Sequence, residues 1–287
     1  MSKQINNVAV VSGAGSGIGA ALARQCADQG MFVYGVDIDQ GGLDALAEYA
    51  SANALKIDTS ILDVRDDKAY AAFAERVFAE QGEVNLLFNN AGVLIDGRCW
   101  ERKIEDWKWN FDVNVIGVVN AITSFTPKML TQKTAGTIVN TASIGGLLGG
   151  GSFLAPYQGT KHAVVAITES LYSELAQEDA PITAACLCPG DTATGIWEPD
   201  RLRPEAEHNQ FQSDDEQQMH DFVADMCANG FTADQAAAAT LAAVDAGKFW
   251  IFPQPEFKPL FEMRIEAILS ESLPRTTEEM MSAMTDA

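Results

Sequence analysis

The feature that most constrains this chain is a glycine-rich loop placed between a short apolar strand and a helix. Residues 8–11 are apolar and mostly β-branched, which is typical of a buried parallel strand, and residues 20–27 have the composition of a helix. The eight residues between them read SGAGSGIG. Because glycines let a backbone approach a pyrophosphate and a helix N-terminus offers free N–H groups, this order predicts a phosphate cradle.

The spacing of the glycines distinguishes this loop from other phosphate-binding motifs. Gly13, Gly17 and Gly19 form G-x-x-x-G-x-G, which differs from the commoner G-x-G-x-x-G and from a P-loop, whose end is Gly-Lys-Ser/Thr. The next strand pattern, residues 32–36, is followed by Asp37. A carboxylate there can accept hydrogen bonds from an adenosine ribose and would repel a 2′-phosphate. No basic residue lies at the following position or inside the loop, so the pattern favours NAD over NADP.

The rest of the chain alternates strand-like and helix-like patterns without a break in composition that would mark a second domain. Strands are predicted at 57–64, 84–88, 182–187 and 249–252, and helices at 43–49, 68–81, 107–129, 232–246 and 260–269. Between residues 191 and 230 the chain is polar and irregular, which predicts either a lid over a site or a surface insert.

The composition excludes several classes of function. The formal net charge is −21, so a nucleic-acid phosphate backbone would be repelled. No apolar run is long enough to span a bilayer, and residues 1–7 lack the apolar stretch of a signal peptide. The five cysteines are an odd number without a CxxC pair, and the three histidines have no ligand spacing to them. We therefore expect reduced thiols, a cytoplasmic location and no metal site.

A candidate reactive group consists of Ser143, Tyr157 and Lys161. Tyr157 and Lys161 are four residues apart where a helix pattern begins, so their side chains are expected on one face, one turn apart. An ammonium close to a tyrosine would lower its pKa and allow proton exchange with a substrate oxygen, which Ser143 could also bind. On its own, this spacing more often marks a surface aromatic beside a solvated lysine, so the interpretation depends on the other motifs.

Further motifs lie at the ends of predicted strands. They are Asp63-Val64, Asn89-Asn90-Ala91-Gly92, and Pro189-Gly190 followed by Thr192 and Thr194. Asn114 lies inside a helix pattern, where asparagine is an indifferent residue. It needs a reason there, which is either a structural hydrogen bond or a role in holding water for catalysis.

Taken together, these residues resemble the short-chain dehydrogenase/reductase family over about residues 7–252. The resemblance implies an α/β fold with a Rossmann-like doubly wound parallel sheet. It implies one domain at 1–252, including a substrate-loop region at 191–230, and a C-terminal extension of the same domain at 253–287. The family's catalytic residues match Asn114, Ser143, Tyr157 and Lys161. Its cofactor contacts match Gly13, Ser16, Gly17, Ile18, Gly19, Asp37, Asp63, Val64, Asn90, Ala91, Gly92, Pro189, Gly190, Thr192 and Thr194, as well as Tyr157 and Lys161.

The resemblance also implies a reaction, which is hydride transfer between NAD and a secondary alcohol or ketone. Tyr157 would be the general acid or base, and Lys161 would lower its pKa and hold the nicotinamide ribose. Ser143 would bind the substrate oxygen and Asn114 would support a water relay. Apolar residues flanking the predicted site favour a hydrophobic aryl or alicyclic substrate, and several of them could equally be core residues. They are Leu94, Ile95, Leu147, Leu148, Phe153, Leu154, Ile196 and Trp197.

Alternatives remain open for partners and for turnover. Family members usually form dimers or tetramers, so we expect a homodimer or homotetramer. Val164, Val165, Ile167 and Leu171 are expected partly between subunits. An NAD-binding sensor or an interaction protein on the same fold, without turnover, is the alternative to an enzyme. The complete set of Ser, Tyr and Lys argues against a sensor, which has no need of all three. Arg98 and Arg201 are among the arginines that could reach the cleft, which leaves a charged substrate possible.

Overall fold

A seven-stranded parallel sheet forms the centre of the computed structural model, which describes residues 7–205, 208, 213–276 and 279–280. The strands run in the order β3-β2-β1-β4-β5-β6-β9. Their bounds are β1 (Val8–Ser12), β2 (Phe32–Asp37), β3 (Ile57–Ile61), β4 (Leu86–Asn89), β5 (Gly136–Thr141), β6 (Ile182–Leu187) and β9 (Trp250–Ile251). Two short strands, β7 (Thr192–Ala193) and β8 (Phe231–Thr232), pair separately in parallel.

Helices connect the strands of the sheet. They are α1 (Gly17–Asp28), α2 (Gln40–Ala52), α3 (Asp67–Gln81), α4 (Ile104–Phe111), α5 (Gly117–Met129), α6 (Ala155–Leu175), α7 (Asp214–Asn229), α8 (Ala233–Asp245) and α9 (Lys258–Leu269). None of these described helices is long and apolar enough to cross a membrane.

Helices cover both faces of the sheet. Successive side chains of a strand point to opposite faces, so each strand contributes to two clusters. Val8 and Val10 of β1 pack in one cluster with Phe125 of α5. Ala9 and Val11 pack in another cluster with helix residues such as Leu22 of α1. The predicted doubly wound, Rossmann-like α/β fold is therefore confirmed.

A crevice opens where the strand order reverses, between the carboxyl ends of β1 and β4. The chain leaves β1 toward β2 on one side and leaves β4 toward β5 on the other. The glycine loop follows β1, and residues 90–92 follow β4. Both predicted motifs therefore border the same crevice.

Two predicted elements differ from the structure in their extent. The strand predicted at 57–64 ends at Ile61, because its partner β2 ends at Asp37, the residue paired with Ile61. The single helix predicted at 107–129 is interrupted by a π-helical turn, Asp112–Ile116, which separates α4 from α5. The side chain of Asn114 lies at the centre of that turn.

The segment between residues 191 and 230 is more regular than predicted, since it contains the 16-residue helix α7 and the short strands β7 and β8. Ser213 caps α7 by accepting a hydrogen bond at its Oγ from the Glu216 N–H (3.4 Å). Residues 206–207 and 209–212 of this predicted loop lie outside the described residues. We call residues 195–205 and 213–229 the cover segment.

The predicted C-terminal extension packs against the main body through α9. Leu260 of α9 is buried in a cluster with Leu148, and Phe257 packs against the same cluster. Residues 277–278 and 281–287 of the extension, like residues 1–6 at the other end, lie outside the described residues.

Of the four side chains expected partly between subunits, three lie inside this chain, and Ile167 is half-buried. Val164, Val165 and Leu171 of α6 are all buried without a partner chain. They face the sheet, because α6 packs directly on β6. The large apolar side chains that α6 and the π turn expose are Tyr172 and Ile116.

Candidate active site

The glycine loop is shaped by contacts that leave no room for side chains. Gly13 has a left-handed backbone (φ +71°), and a Cβ at Gly19 would collide with the Gly13 carbonyl. Ser16 precedes α1 as its N-cap residue, yet its side chain makes no capping hydrogen bond. The first N–H groups of α1 are therefore not capped by that hydroxyl, which fits a cradle for an anionic phosphate.

Asp37 is tied to this loop by its carboxylate. Its Oδ2 accepts a hydrogen bond from the Gly15 N–H (2.8 Å), and its Oδ1 accepts one from the Asp39 N–H (3.0 Å). The carboxylate also lines the cavity beside the loop. The end of β2 thus fixes the loop and presents a negative charge next to it, as the sequence predicts.

The loop after β4 is held by Ser12, the last residue of β1. Its hydroxyl accepts hydrogen bonds from the N–H groups of Asn90 (3.0 Å) and Ala91 (3.2 Å) and donates one to the Phe88 carbonyl (3.3 Å). A hydroxyl at position 12 thereby joins the two sides of the crevice. Gly92 lies beyond, where a Cβ would come within 3.2 Å of Asn114 Oδ1 and 3.3 Å of Lys161 Nζ.

Ser143, Tyr157 and Lys161 come together at the carboxyl end of β5. Ser143 Oγ accepts a hydrogen bond from the Gly145 N–H (3.0 Å) and donates one to the Pro189 carbonyl (3.4 Å). Tyr157 lies in the first turn of α6, and Lys161 follows one turn later. Lys161 Nζ donates to the Thr141 carbonyl (3.0 Å) and lies 5.6 Å from the centre of the Tyr157 ring.

Asn114, in the π turn, makes several buried hydrogen bonds through its side chain. Its Oδ1 accepts a hydrogen bond from the Val93 N–H (2.8 Å). Its Nδ2 donates to the carbonyl of Val93 (2.8 Å) and contacts Asn110 Oδ1 (2.6 Å) and Thr160 Oγ1 (2.9 Å). Asn114 is buried, and its contacts join the loop after β4 to α6. Of the two reasons considered for an asparagine here, the structural hydrogen bond is the one that its contacts display.

Burial shifts the pKa values of both Tyr157 and Lys161. Burial raises the pKa of Tyr157 to about 12, and a hydrogen bond with Ser143 lowers it in part. Burial also lowers the pKa of Lys161 to about 8. Removal from water disfavours the charged form of each group, and Lys161 is not among the causes that set the Tyr157 pKa in this arrangement. Lys161 is directed to the Thr141 carbonyl rather than to the phenol.

The predicted cofactor and catalytic residues border one continuous cavity, with two exceptions. Asn114 is buried behind it, and Gly19 packs against the Gly13 carbonyl. Thr194 closes the glycine loop from the opposite side, since a Cβ at Gly17 would lie 2.9 Å from its methyl group. The members that line the cavity are Gly13, Ser16, Gly17, Ile18, Asp37, Asp63, Val64, Asn90, Ala91, Gly92, Ser143, Tyr157, Lys161, Pro189, Gly190, Thr192 and Thr194.

Beyond Tyr157 the cavity is walled mainly by apolar side chains. Of the predicted hydrophobic lining, Leu94, Leu148, Leu154 and Ile196 border it. Ile95, Leu147, Phe153 and Trp197 are not among the lining side chains. Additional walls that the sequence analysis missed come from Val223 and Met226 of α7, from Leu202, and from Phe257 and Leu260 near the C-terminus.

Some of these missed contributions had a signal in the sequence. Residues 213–216 read SDDE, a serine followed three residues later by glutamate, which is typical of a helix N-terminus. Met219, Val223 and Met226 then recur at helical spacing. Of the arginines expected within reach of the cleft, Arg201 lines the cavity and Arg98 does not.

A family model described as short chain dehydrogenase matches residues 7–205, which is more than half of the chain. The protein belongs to the short-chain dehydrogenase/reductase family. It is therefore an oxidoreductase of a family that binds a nicotinamide cofactor.

Similar proteins extend the family match over nearly the whole chain. A solved short-chain dehydrogenase/reductase from Burkholderia phymatum in complex with NAD is 35% identical, covers 96% of this chain and 98% of its own, and has a TM-score of 0.90. A CLA biosynthesis dehydrogenase/reductase of Lactiplantibacillus plantarum is 29% identical over 94% of this chain and 95% of its own length. The 1-deoxy-11-beta-hydroxypentalenate dehydrogenase of Streptomyces avermitilis is 30% identical over 86% and 84%, respectively.

Proposed function

We propose that this short-chain dehydrogenase/reductase interconverts a hydrophobic secondary alcohol and its ketone with NAD as cofactor. The observation that carries the proposal is the continuity of the cavity. The glycine loop, Ser143 and Tyr157 border one space, and that space ends among apolar side chains. A dinucleotide and an apolar substrate could therefore meet at the tyrosine.

NAD is proposed over NADP because of the charges beside the glycine loop. Asp37 and Asp39 place two carboxylates at the end of β2, and Asp37 lines the cavity. A 2′-phosphate would be repelled there. The similar structure from Burkholderia phymatum, which is in complex with NAD, supports the same choice.

The residues present fit such a cofactor. The glycine loop is too tightly packed for a Cβ at Gly13 or Gly19, and the Ser16 side chain leaves the first N–H groups of α1 uncapped. The glycine loop, Asp37, Asp63 and the residues after β4 and β6 would hold it. When bound, the nicotinamide ring supplies the acceptor or donor of the hydride. We assign to this chain's own side chains the positioning and proton chemistry.

In our mechanism Tyr157 exchanges a proton with the substrate oxygen, and Ser143 orients that oxygen by a hydrogen bond. With its pKa raised to about 12, the phenol of Tyr157 is neutral near pH 7 and is set to donate a proton to a ketone. Alcohol oxidation needs the phenolate, so its rate should rise with pH. Lys161 lies one turn away, and Asn114 holds α6 and the loop after β4 in register.

The apolar end of the cavity supports a hydrophobic substrate of aryl or alicyclic type. Its walls include residues from the loop after β4, the segment between β5 and α6, the cover segment and the C-terminal region. Asp191 and Cys227 are polar or weakly polar exceptions that line the same space. A homodimer or homotetramer is proposed as well, supported by the exposure of Ile116 and Tyr172 on neighbouring helices.

The test is a panel of secondary alcohols, from small aliphatic to bulky aryl, mixed with NAD and followed by nicotinamide absorbance. Tyr157→Phe should reduce turnover by at least about a hundredfold, because the proton donor is lost. It should leave NAD affinity nearly unchanged. Tyr172→Phe is the matched control, since Tyr172 is an exposed tyrosine of the same helix. Turnover by Tyr157→Phe close to wild type would remove Tyr157 from its role. NAD binding without any turnover would favour the sensor.

The choice of cofactor has its own test in Asp37→Asn. The amide keeps an oxygen that can accept the Gly15 N–H but removes the charge beside the loop. We expect the ratio of NAD to NADP affinities to fall by about tenfold, a change typical of one nearby charge pair. The measurement is the dissociation constant of each dinucleotide by calorimetry. An unchanged ratio would contradict the charge argument.

A further inference from the structure

Arg201 reaches the glycine loop from the cover segment. It lies in a short 3₁₀ helix, Pro199–Leu202, and its Nη2 donates a hydrogen bond to Ser16 Oγ (3.2 Å). Its Nη1 lies 3.5 Å from Asp39 Oδ2. One guanidinium therefore bridges Ser16, just before α1, and Asp39, just before α2, beside the cavity.

Arg201 differs in position from the other basic side chains that line the cavity. In the described part of the chain, three basic side chains line the cavity, namely Arg65, Lys161 and Arg201. Arg65 forms an ion pair with Asp63 (2.6 Å), and Lys161 lies beside Tyr157. Arg201 is the one at the loop that would cradle the phosphates.

The contacts of Arg201 in the free chain are weak enough to be exchanged. The side chains of Arg201 and Asp39 are 33% and 31% exposed, and ion pairs this accessible contribute little to stability. A pyrophosphate carries two negative charges and four terminal oxygens, which match the donors of a guanidinium. In a chain with net charge −21, a cation at this point would reduce the repulsion of a dianion.

Resting on the cofactor site of the proposed function, we infer that Arg201 binds the pyrophosphate of the dinucleotide and thereby closes the cover segment over the site. Ile196 and Leu202 belong to the same stretch and line the cavity. Contact between Arg201 and the pyrophosphate would therefore also position the wall of the apolar end. Cofactor binding would therefore complete the wall of the substrate pocket.

The pyrophosphate is favoured over a 2′-phosphate by the neighbours of Arg201. Its hydrogen bond is to Ser16, at the start of α1, where the uncapped N–H groups fit phosphate oxygens. The other nitrogen of the guanidinium, Nη1, faces the Asp39 carboxylate, and Asp37 lies next to Asp39. A 2′-phosphate would meet both carboxylates.

The experiment compares wild type, Arg201→Gln, Arg201→Lys and Arg24→Gln by calorimetric titration with NAD, NADP, ADP and adenosine. Arg24 is the matched control, because its side chain is as exposed as that of Arg201, it pairs with Asp234 (2.9 Å), and it does not line the cavity. Arg201→Gln should weaken NAD and ADP binding by about tenfold or more, as expected for a lost charge-assisted contact. Adenosine binding should stay the same, Arg201→Lys should fall between, and Arg24→Gln should match wild type.

Hydrogen exchange provides a readout that is independent of affinity. Saturating NAD should slow amide exchange in residues 195–205 of wild type and much less in Arg201→Gln. Equal NAD affinity in wild type and Arg201→Gln, or a loss confined to NADP, would overturn the inference while leaving the proposed function intact. No protection of residues 195–205 in NAD-bound wild type would overturn the closure. A wild-type chain that binds neither dinucleotide would overturn the proposed function, and the inference with it.

Discussion

The parallel sheet and the cover segment meet at the same cavity but are held in place by different forces. Strands β1, β4 and β5 are buried on both faces, and residues such as Val11, Phe88 and Val139 pack together without exposure. The cover segment contributes a much smaller apolar cluster, in which Val223 and Cys227 pack with Leu94. Leu202 of the cover segment packs against a second small cluster that contains Val93 and Trp109. Charged pairs form further attachments.

Charged pairs join the cover segment to residues 96–106. Arg102 and Glu216 are 2.9 Å apart, with side chains 3% and 0% exposed. The pair Arg203–Asp106 (2.8 Å) is also buried, His220 Nδ1 lies 3.0 Å from Asp96, and Arg98 contacts Asp215. Apolar burial is insensitive to pH and nondirectional, whereas buried ion pairs depend on geometry and on charge. The sheet should therefore behave as a rigid base and the cover segment as a separable unit.

The largest expected effect is on the sheet. Phe88→Ala removes a fully buried ring in β4 and should lower the free energy of unfolding by about 3–5 kcal/mol. Denaturant unfolding followed by circular dichroism measures it. Phe222→Ala, at an exposed phenylalanine of α7, is the control and should have little effect. A smaller loss for Phe88 than for Phe222 would contradict the account of the sheet.

The next effect concerns the cover segment alone. Glu216→Gln removes the carboxylate charge that pairs with the buried Arg102 guanidinium, and breaking such a pair costs about 3 kcal/mol or more. We expect faster proteolytic cleavage between residues 198 and 216, with the unfolding of the sheet nearly unchanged. Asp215→Asn, at the exposed neighbouring carboxylate, should not change the cleavage rate. Equal destabilisation of sheet and cover segment by Glu216→Gln would show that they are one cooperative unit.

The smallest effect is a pH dependence of the same attachment. A hydrogen bond with Asp96 raises the pKa of His220, against the opposing effect of burial, and Asp221 and Asp200 add to the rise. The attachment from protonated His220 is therefore complete below about pH 6.5, the unperturbed value, and is lost as pH rises through the raised pKa.

Proteolysis of the cover segment across that range measures the effect. Cleavage should become faster as the pH is raised from about 6 to about 9, because His220 loses its proton over this range. His220→Asn should flatten this dependence. His162→Asn is the control, since burial lowers the pKa of His162 and its ring contacts the Gln158 carbonyl on α6. A profile of His220→Asn that still follows wild type would exclude His220 as the titrating group.

The two regions also differ in how far the sequence predicted them. The parallel sheet, its strand positions to within a few residues and the family were predicted correctly, because apolar runs, the glycine spacing and Asp37 are local patterns. The cover segment was predicted as irregular, although Ser213 and Glu216 carried a helix signal. Its charged partners at residues 96–106 are distant in sequence, so no local pattern could pair Arg102 with Glu216 or Arg203 with Asp106.

The catalytic roles of these four residues remain predictions. The structure adds the burial that sets two of their pKa values and the hydrogen bonds of Asn114. The residues are Ser143, Tyr157, Lys161 and Asn114. The sequence places Tyr157 and Lys161 one turn apart on a helix, and this is a consequence of the helical repeat. It does not determine their pKa values, because these follow from burial. Nor does it predict the π turn at Asn114, which depends on partners at Val93, Asn110 and Thr160.

By itself, the sequence determined the fold, the family and the end of the sheet where the chemistry lies, because strand, glycine loop and helix are consecutive and their geometry is local. Only the tertiary structure decided which distant groups share the cavity. It brings Arg201 to Ser16 across 185 residues and places Tyr157 where partial burial raises its pKa to about 12. Both are effects of proximity in space, and proximity between distant segments is set by packing rather than by the order of residues.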